Sequence, residues 1–407
     1  MLPATTILRR QVPASLVLFG LAIAVSSLAA PPVKPDNTNS YQVQNLVSLS
    51  AAQGGTIAAP HHDDNLQNGW GVIFNPTGFV WVSDNGTGKS TLYDGSGTPS
   101  GGPLIVTIPA ASQGDTGSPT GIVFNPSSDF AVCTTGQPPQ PVVSQPARFI
   151  WVSEDGMISG WNPACNPNNA LKALVANAVY KGVTITGNGS SDFFLYAADF
   201  IGKKIDVYDS KFKLVTMPAG AFVDPSIPSD YGPFNIMSIQ GNLYVAFAKT
   251  QPNSHDEAHG PGLGFVDVFD ANGVLLMQLA GKRNFNAPWG IALAPQGFGR
   301  FSNAVLVGNF GDGTINAFDP RDGNFKGQLQ TPDGKTLVID GLWGIQFGNG
   351  ILNQQTDTLF FAAGPHDESD GVYGRIDNVP PTKGGGNDDQ GDNDQGNNNG
   401  QGNGKMD

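Results

Sequence analysis

Charged side chains are scarce in this chain, and the basic ones form no cluster. Only 14% of the 407 residues are charged, and the formal net charge is −13. An acidic chain without a concentrated basic patch is poorly suited to nucleic acid or to an anionic membrane surface. We therefore expect no nucleic acid among its partners, and no membrane once a leader has been removed.

The sequence also lacks the short motifs of common catalytic chemistries. It contains no Gly-x-Ser-x-Gly elbow, no phosphate-binding loop and no dinucleotide fingerprint. No long amphipathic helical pattern occurs either, whereas 54 glycines and 39% hydrophobic residues are present. This composition is typical of an all-β fold that is rich in turns.

Cysteine is limited to Cys133 and Cys165, and neither has the spacing of a metal site. Cys133 lies in an insertion between the first two strands of one repeat, and Cys165 follows the third strand of the same repeat. Both connections leave from the same face, so we expect a disulfide in an oxidising compartment. The alternative is two free thiols that are too far apart to bridge.

The two ends of the chain differ from its middle. Residues 1–30 contain Arg9-Arg10, an apolar run and a small-x-small site at residues 27–29, which together predict a signal peptide. The alternative is an uncleaved membrane anchor. A linker at 31–40 and a folded domain at 41–378 follow. Residues 379–407 are poor in apolar side chains and are predicted to be disordered. We expect an exported monomer, located in the periplasm, in the medium or at the cell surface.

The middle of the chain consists of repeats of four short strands. The clearest copy covers 288–329, with strands predicted at 291–294, 304–308, 314–318 and 325–329. Each copy starts its first strand with a related pair of residues, at intervals of 50 to 61 residues. The six pairs are Trp70-Gly71, Thr120-Gly121, Lys181-Gly182, Phe234-Asn235, Trp289-Gly290 and Trp343-Gly344. Such a period, filled with short strands, predicts a six-bladed β-propeller.

The last copy ends before a fourth strand, because only polar sequence follows residues 372–376. A strand-like segment, YQVQNLVSL at 41–49, precedes the first copy. An open sheet edge would invite aggregation. We therefore predict that this N-terminal strand completes the last blade and closes the ring.

In a propeller, the turns between second and third strands surround the channel mouth together with the starts of the first strands. Polar residues predicted to converge there are Asp84, Glu154, Asp199, Asn235, Lys249, Asn309, His255, His259, His366 and Asp367. Among them, Asp84, Glu154, Asp199 and Asp367 could hold Ca²⁺ or another divalent cation. The alternative is that these residues only form hairpin turns.

All five histidines fall in segments expected at this opening, with His61 and His62 just before the first blade. A histidine beside carboxylates could bind a metal or serve as a general base, and the alternative is a solvated rim. The tryptophans that start three blades could stack a ligand at the mouth. The alternative is that they pack between blades.

Several phrases together resemble a known family. They are NGWGVIFNPTGFVWVSDNGTGKSTLYDGSGTP, GSPTGIVFNP, HDEAHGPGLGFVDVFDANG, NAPWGIALAP, LVGNFGDGTINAFDP and IDGLWGIQFGNG. In this order they resemble a family of exported, uncharacterised bacterial proteins, some of which carry a PEP-CTERM sorting signal. The resemblance implies a six-bladed, NHL-like propeller and an exported location, and it implies no activity. The C-terminal tail has neither the apolar segment nor the basic terminus of such a signal.

Three functions are compatible with these observations. The first is a binding or scaffold module that recognises an extracellular or periplasmic ligand at the channel face. The second is a metal-dependent hydrolase or lactonase, similar to gluconolactonase-type propellers, with carboxylates holding a calcium-type ion at the channel. The third is a structural or matrix role.

Overall fold

A computed structural model describes residues 39–99, 104–137, 139–187 and 192–379. The predicted signal peptide lies outside the described residues, as does the predicted tail apart from residue 379. Within the described ranges, no helix has the length and apolar character needed to cross a lipid bilayer.

Six of the sheets formed by the described residues are the six predicted blades, and they are antiparallel apart from one short parallel pair in the last blade. The innermost strands are Gly69–Phe74, Pro119–Phe124, Tyr180–Gly187, Tyr231–Ile239, Pro288–Leu293 and Leu342–Phe347. The second strands are Val80–Asp84, Phe149–Ser153, Phe193–Asp199, Asn242–Thr250, Val305–Asn309 and Leu359–Ala363. The third strands are Lys89–Tyr93, Met157–Trp161, Lys204–Tyr208, Gly264–Phe269, Ile315–Phe318 and Val372–Asn378. The outer strands are Val106–Thr107, Leu171–Val175, Leu275–Gln278, Phe325–Gln328 and Tyr41–Ser48.

Four blades carry departures from, or additions to, the four-stranded pattern. Blade 3 has three strands, and blade 6 gains a fifth at its outer edge from His61–His62. In blade 4, the short strand Glu257–Ala258 pairs with the end of the second strand. Blade 2 carries a separate hairpin of Ala131–Thr135 and Val143–Pro146. Short 3-10 helices occupy Ala51–Gln53, Asn85–Thr87, Lys282–Asn284 and Gly299–Phe301.

Glycine at the start of the innermost strands allows neighbouring blades to meet backbone to backbone around the axis. A Cβ on Gly71 would lie 2.6 Å from the carbonyl oxygen of Thr120 in the next blade. A Cβ on Gly344 would lie 2.5 Å from the carbonyl oxygen of Trp70, across the junction between the last blade and the first. No carbon atom fits at such distances, so the second position of each repeated pair is explained by close approach of two backbones.

Blade 4 has Asn235 where the other blades have glycine at this position. The Asn235 side chain donates from Nδ2 to the Trp289 carbonyl oxygen at 2.8 Å, which connects blades 4 and 5. Its Oδ1 occupies the space beside Gly182, where a Cβ would lie only 2.1 Å away. At this position the contact between neighbouring blades is made by the Asn235 side chain, whereas at the other positions backbone meets backbone beside a glycine.

The N-terminal strand closes the ring as predicted. Tyr41–Ser48 pairs antiparallel with Val372–Asn378, from Tyr41 opposite Asn378 to Ser48 opposite Val372. The Tyr41 hydroxyl also donates to the Phe298 carbonyl oxygen at 3.0 Å, in blade 5. The strand thus completes one blade and anchors it to its neighbour.

Apolar side chains fill the spaces between blades. Between blades 1 and 2, Trp81 stacks on Phe149 with a ring-centroid distance of 4.2 Å, and Trp151 and Trp161 join the same cluster. Between blades 4 and 5, Val266 and Val307 belong to one fully buried cluster. Each sheet therefore buries its faces against two neighbours, which is what holds separate small sheets in one domain.

The predicted disulfide is present. Cys133 in the blade 2 hairpin is bonded to Cys165, which lies between the third and outer strands of the same blade. The Cα atoms are 6.1 Å apart, within the usual range for a disulfide. The bond fastens the hairpin to the blade that carries it.

Removing this disulfide is expected to destabilise the protein. The bond spans 32 residues of sequence, and loop-closure entropy for that length corresponds to about 3–4 kcal/mol of the free energy of unfolding. Cys133→Ser should lower that free energy by this amount in a urea titration. Cys165→Ser should behave identically, and dithiothreitol should destabilise the wild type but neither variant. A wild type that is insensitive to the reductant would contradict the prediction.

Candidate functional site

The central channel is closed near its mouth by a plug of aromatic side chains. Trp70 and Trp343 stack with a ring-centroid distance of 3.8 Å, and Phe310 stacks on the other side of Trp343 at 3.8 Å. Trp289 and Phe234 contact Trp343 edge-on or tilted, at 5.8 and 5.7 Å. The blade-starting tryptophans thus pack against one another on the axis, and not in the spaces between blades.

Buried polar groups hold the plug in place. Asn68 Oδ1 accepts hydrogen bonds from the indole nitrogens of Trp70 and Trp343, at 2.9 and 3.1 Å. The Trp289 indole donates to the Lys181 carbonyl oxygen at 3.0 Å. Because every one of these indole N–H groups has a partner, the plug orients its rings as well as excluding water.

A cup-shaped cavity of about 340 Å³ lies at the mouth, with the plug as its floor. We call it the mouth cup, and all six blades contribute to it. It is lined by Trp70, Glu154, Lys181, Gln251, Asp256, Glu257, His259, Phe310, Asp367 and Glu368. The turns between second and third strands and the starts of first strands therefore do meet at one place, as the propeller geometry predicts.

Lys181 is the one basic residue among these that is buried in the floor, with 2% of its surface exposed. Its Nζ donates to Glu154 Oε1 at 2.6 Å and lies 4.9 Å from the Trp70 ring centroid. Burial favours the neutral amine, but the carboxylates of Glu154 and Glu257 outweigh burial and raise the pKa of Lys181. The floor therefore carries a fixed positive charge.

Two acids of the cup, Glu257 and Glu368, are more deeply buried than surface carboxylates usually are, whereas Asp256 and Asp367 are exposed. Glu257 is 5% exposed, and its Oε1 bonds to His259 Nε2 at 3.0 Å. Glu368 Oε1 accepts a hydrogen bond from Asn68 Nδ2 at 3.0 Å. Burial, reinforced by the nearby charge of Glu257, raises the pKa of Glu368. Negative charge is thus crowded at the mouth.

A strained turn presents two of these acids. His366, Asp367 and Glu368 have φ values of 55°, 51° and 63°. Three consecutive residues with side chains in the left-handed region are unusual, because each costs on the order of 1 kcal/mol. Strain of this kind is concentrated at functional sites in proteins.

The structure brings three of the sequence-predicted site residues into the mouth cup, namely Glu154, His259 and Asp367. Asp199 and His255 line a neighbouring cavity of about 390 Å³, which Glu154 also borders.

The other predicted site residues do not reach the cup. Asp84 is fully buried beside Thr91, and burial, together with the charge of Asp63, raises its pKa well above the usual value. Asn309 is buried, and its Nδ2 donates to the Asn284 carbonyl oxygen at 2.8 Å. Both side chains turn into their blades, where Asp84 bonds to Thr91 and Asn309 bonds to backbone, so neither lines the mouth cup.

Three further residues predicted at the mouth, Asn235, Lys249 and His366, make contacts outside the mouth cup. Asn235 lies in the channel between blades 4 and 5, as described above. Lys249 is half-buried and pairs with Asp230 at 3.1 Å. His366 is exposed and its Nδ1 lies 3.2 Å from Thr56 Oγ1. His61 and His62, also expected at the mouth, form the outermost strand of blade 6 instead.

The four carboxylates predicted to hold a divalent cation do not converge, since Asp84 is buried in its blade while Glu154 and Asp367 line the mouth cup. Among the described residues, no group of three or more His, Cys, Asp or Glu side chains is arranged to hold a metal ion. The donor set in this structure therefore does not fit Ca²⁺, which needs six to eight oxygen ligands around one point.

The mouth cup also contains Lys181, Glu257 and Glu368, which are not among the site residues predicted from the sequence. The position of Lys181 is unusual in the sequence, because three other blades have tryptophan at the equivalent position. Glu257 and Glu368 lie in the two histidine-containing insertions, but no spacing rule distinguishes them from their acidic neighbours. Their importance follows from burial, which the sequence does not show.

His259 is expected to titrate above the ordinary range of histidine. Its hydrogen bond to Glu257 raises its pKa despite partial burial, and Glu368 and Asp367 act in the same direction. The imidazolium's contribution to stability is therefore complete below pH of about 6.5 and is lost as pH rises through the folded-state pKa. NMR titration of the His259 ring should show a midpoint above about 6.5.

Glu257→Gln should lower this midpoint, because the amide retains the size of the side chain but not its charge. Asp357→Asn, at an exposed position between the first two strands of blade 6, should leave it unchanged. Equal midpoints in the wild type and Glu257→Gln would show that Glu257 does not set the pKa of His259.

Comparisons with known proteins give relatives without an assigned activity. The chain is 33% identical over 338 residues to uncharacterized protein L690 of Acanthamoeba polyphaga mimivirus, covering 79% of this chain and 82% of that protein. It is also 33% identical over 350 residues to uncharacterized protein R648 of the same virus, covering 83% of this chain and 80% of that protein. These relatives are viral, whereas the sequence resemblance was to bacterial proteins. No protein-family profile matches the chain.

Solved structures show distant similarity only. A streptogramin B lyase structure has a TM-score of 0.46 at 12% identity, covering 83% of this chain and 97% of that one. A structural genomics protein of unknown function from Bacteroides thetaiotaomicron has a TM-score of 0.48 at 11% identity, covering 83% and 76%. These values carry no functional argument. On the strength of its viral relatives, the chain belongs to the family of uncharacterised proteins that includes mimivirus L690 and R648.

Proposed function

We propose that the protein is an exported binding module that holds a small ligand in the mouth cup. The observation that carries this proposal is the plug, because it converts an open channel into a blind cup lined by side chains from six blades. Concave sites of this size with a few converging polar groups are the usual form of small-molecule sites in proteins.

The rigidity of the cup supports binding. Its floor is fixed by stacked rings and by hydrogen bonds to Asn68, and its wall includes the strained turn at 366–368. Groups that are held in place before a ligand arrives lose little conformational entropy on binding. A cup of about 340 Å³ is too small for a folded partner but accommodates a small molecule or a single protruding side chain.

Export is supported by the leader-like sequence at residues 1–30 and by the disulfide, since such bonds persist in oxidising compartments. Expression with the complete leader should give a protein outside the cytoplasm whose first residue lies near position 30. Recovery of the full-length chain in the cytoplasm with reduced cysteines would count against export.

A thermal-shift screen of a library of small metabolites tests binding directly. Ligands of the mouth cup should raise the melting temperature of the wild type but not that of Gln251→Trp, in which an indole fills the cup. Gln53→Trp, at an exposed position in a 3-10 helix, is the matched control and should respond like the wild type. If no compound distinguishes Gln251→Trp from Gln53→Trp, the mouth cup is not a binding site.

The competing proposal is a calcium-dependent hydrolase or lactonase. It would be favoured if calcium chloride raised the melting temperature and if Glu154→Gln or Asp367→Asn abolished that shift. No observation on the described residues favours this proposal over ligand binding, because the donor set does not fit the ion.

A further inference from the structure

Negative charge exceeds positive charge in the mouth cup. Five carboxylates line it, from Glu154, Asp256, Glu257, Asp367 and Glu368, against the ammonium of Lys181 and the imidazole of His259. The ammonium is paired with Glu154 at 2.6 Å and the imidazole with Glu257 at 3.0 Å, which leaves Asp256, Asp367 and Glu368 without a cationic partner among the described residues. Such crowding disfavours an anionic ligand and would be relieved by a cation.

One buried carboxylate in the cup has a hydrogen bond at only one of its two oxygen atoms. Glu257 is only 5% exposed, and its Oε1 is hydrogen-bonded to His259. Its second oxygen, Oε2, accepts no hydrogen bond from the part of the chain that the structure describes. The Glu257 side chain lines the cavity, so this oxygen is available to accept a hydrogen bond from a donor in the cup. A ligand that brings such a donor would complete the hydrogen bonding of this carboxylate.

The spread of the carboxylates favours an organic cation over a metal ion. No three of these acidic groups are close enough to coordinate one metal ion among the described residues. An alkylammonium group needs no such convergence, because its three N–H donors can each reach a different acceptor. Its methylene groups would contact the rings of Trp70 and of the half-buried Phe310, both of which belong to the plug that forms the floor.

We propose that the mouth cup binds a small primary-amine cation, with Glu257 and Glu368 as the main partners of its ammonium group. This inference rests on the proposed binding function and specifies its ligand class. The amine is either a free small molecule or the side-chain ammonium of a lysine in a flexible peptide.

Isothermal titration calorimetry at low ionic strength and neutral pH tests the proposal with matched probes. The cation 1,5-diaminopentane should bind, whereas 1,5-pentanediol, which has nearly the same shape without charge, should not. Affinity should fall as salt is added, because screening weakens the attraction. Comparing diaminopentane with Nα-acetyl-lysine methylamide distinguishes a free diamine from a lysine side chain.

Substitutions in the wall should weaken this binding. Glu257→Gln and Glu368→Gln should each reduce the affinity for the bound amine about 10- to 100-fold, as expected for the loss of a hydrogen bond to a charged group. Asp357→Asn makes the same charge change on the exposed surface and should have no effect. Circular dichroism and melting temperature establish that each variant is folded, and shifts of the His259 ring resonances report occupation of the cup independently of heat.

Several results would overturn the proposal. Equal affinity for the diol would indicate recognition of hydroxyl groups, and binding of calcium chloride without binding of either amine would indicate a metal site. If library compounds bind and Gln251→Trp blocks them while neither amine binds, the ligand class is wrong but the binding function stands. If nothing binds the cup, both proposals fail.

Discussion

Trp343→Ala is expected to lower the free energy of unfolding by about 3–5 kcal/mol, the usual cost of truncating a buried tryptophan. Trp343 is 1% exposed and contacts Trp70, Phe310, Phe234 and Trp289. Its removal would leave a large cavity on the axis, because the stacked rings cannot all shift to fill it. Urea titration followed by circular dichroism measures the loss.

Trp343→Phe is the matched control for this substitution. It retains an aromatic ring between Trp70 and Phe310 but gives up the indole hydrogen bond to Asn68, so we expect a loss of about 1–2 kcal/mol. If the alanine variant were no less stable than the phenylalanine variant, the plug would contribute little to the stability of the ring.

Removal of the N-terminal strand is expected to have the second large effect. A variant that lacks residues 1–48 would expose the edge of Val372–Asn378, with which Tyr41–Ser48 pairs over its whole length. It would also lose the buried side chains of Tyr41 and Val47. Since open edges pair with other chains, we expect self-association in size-exclusion chromatography and no cooperative unfolding transition.

A variant that lacks only residues 1–38 retains the strand and should remain monomeric and folded. A synthetic peptide covering residues 39–50 should restore the cooperative transition of the shorter variant by pairing with its open edge. A monomeric and cooperatively folded protein without residues 1–48 would contradict the role of this strand in ring closure.

The fold could be predicted because its determinants are local and repeated. In blade 5 the strand predicted at 325–329 is observed as Phe325–Gln328, and that predicted at 304–308 as Val305–Asn309. The pair Trp289-Gly290 marks a position where a ring meets the axis and a glycine meets the next backbone. Both requirements depend on residue type alone, so they are visible in the sequence.

The site could be predicted only as a region. Propeller topology places Glu154 and Asp84 in equivalent turns, but Glu154 points to Lys181 while Asp84 turns into the core. Which way a turn side chain points depends on nearby donors from other blades, and no pattern in the sequence reveals them. The role of Lys181 likewise depends on a counter-charge 27 residues away in the chain.

The close contacts of the innermost strands fix the bore of the channel. Gly182 leaves the gap that the Asn235 side chain occupies, and Asn235 in turn reaches Trp289 in the following blade. Because the ring of blades is closed, a methyl group added at Gly182 could not be accommodated by moving only the two blades that meet there. The extra separation would have to be shared among the contacts between all six blades. The diameter of the channel is therefore set jointly by these six contacts.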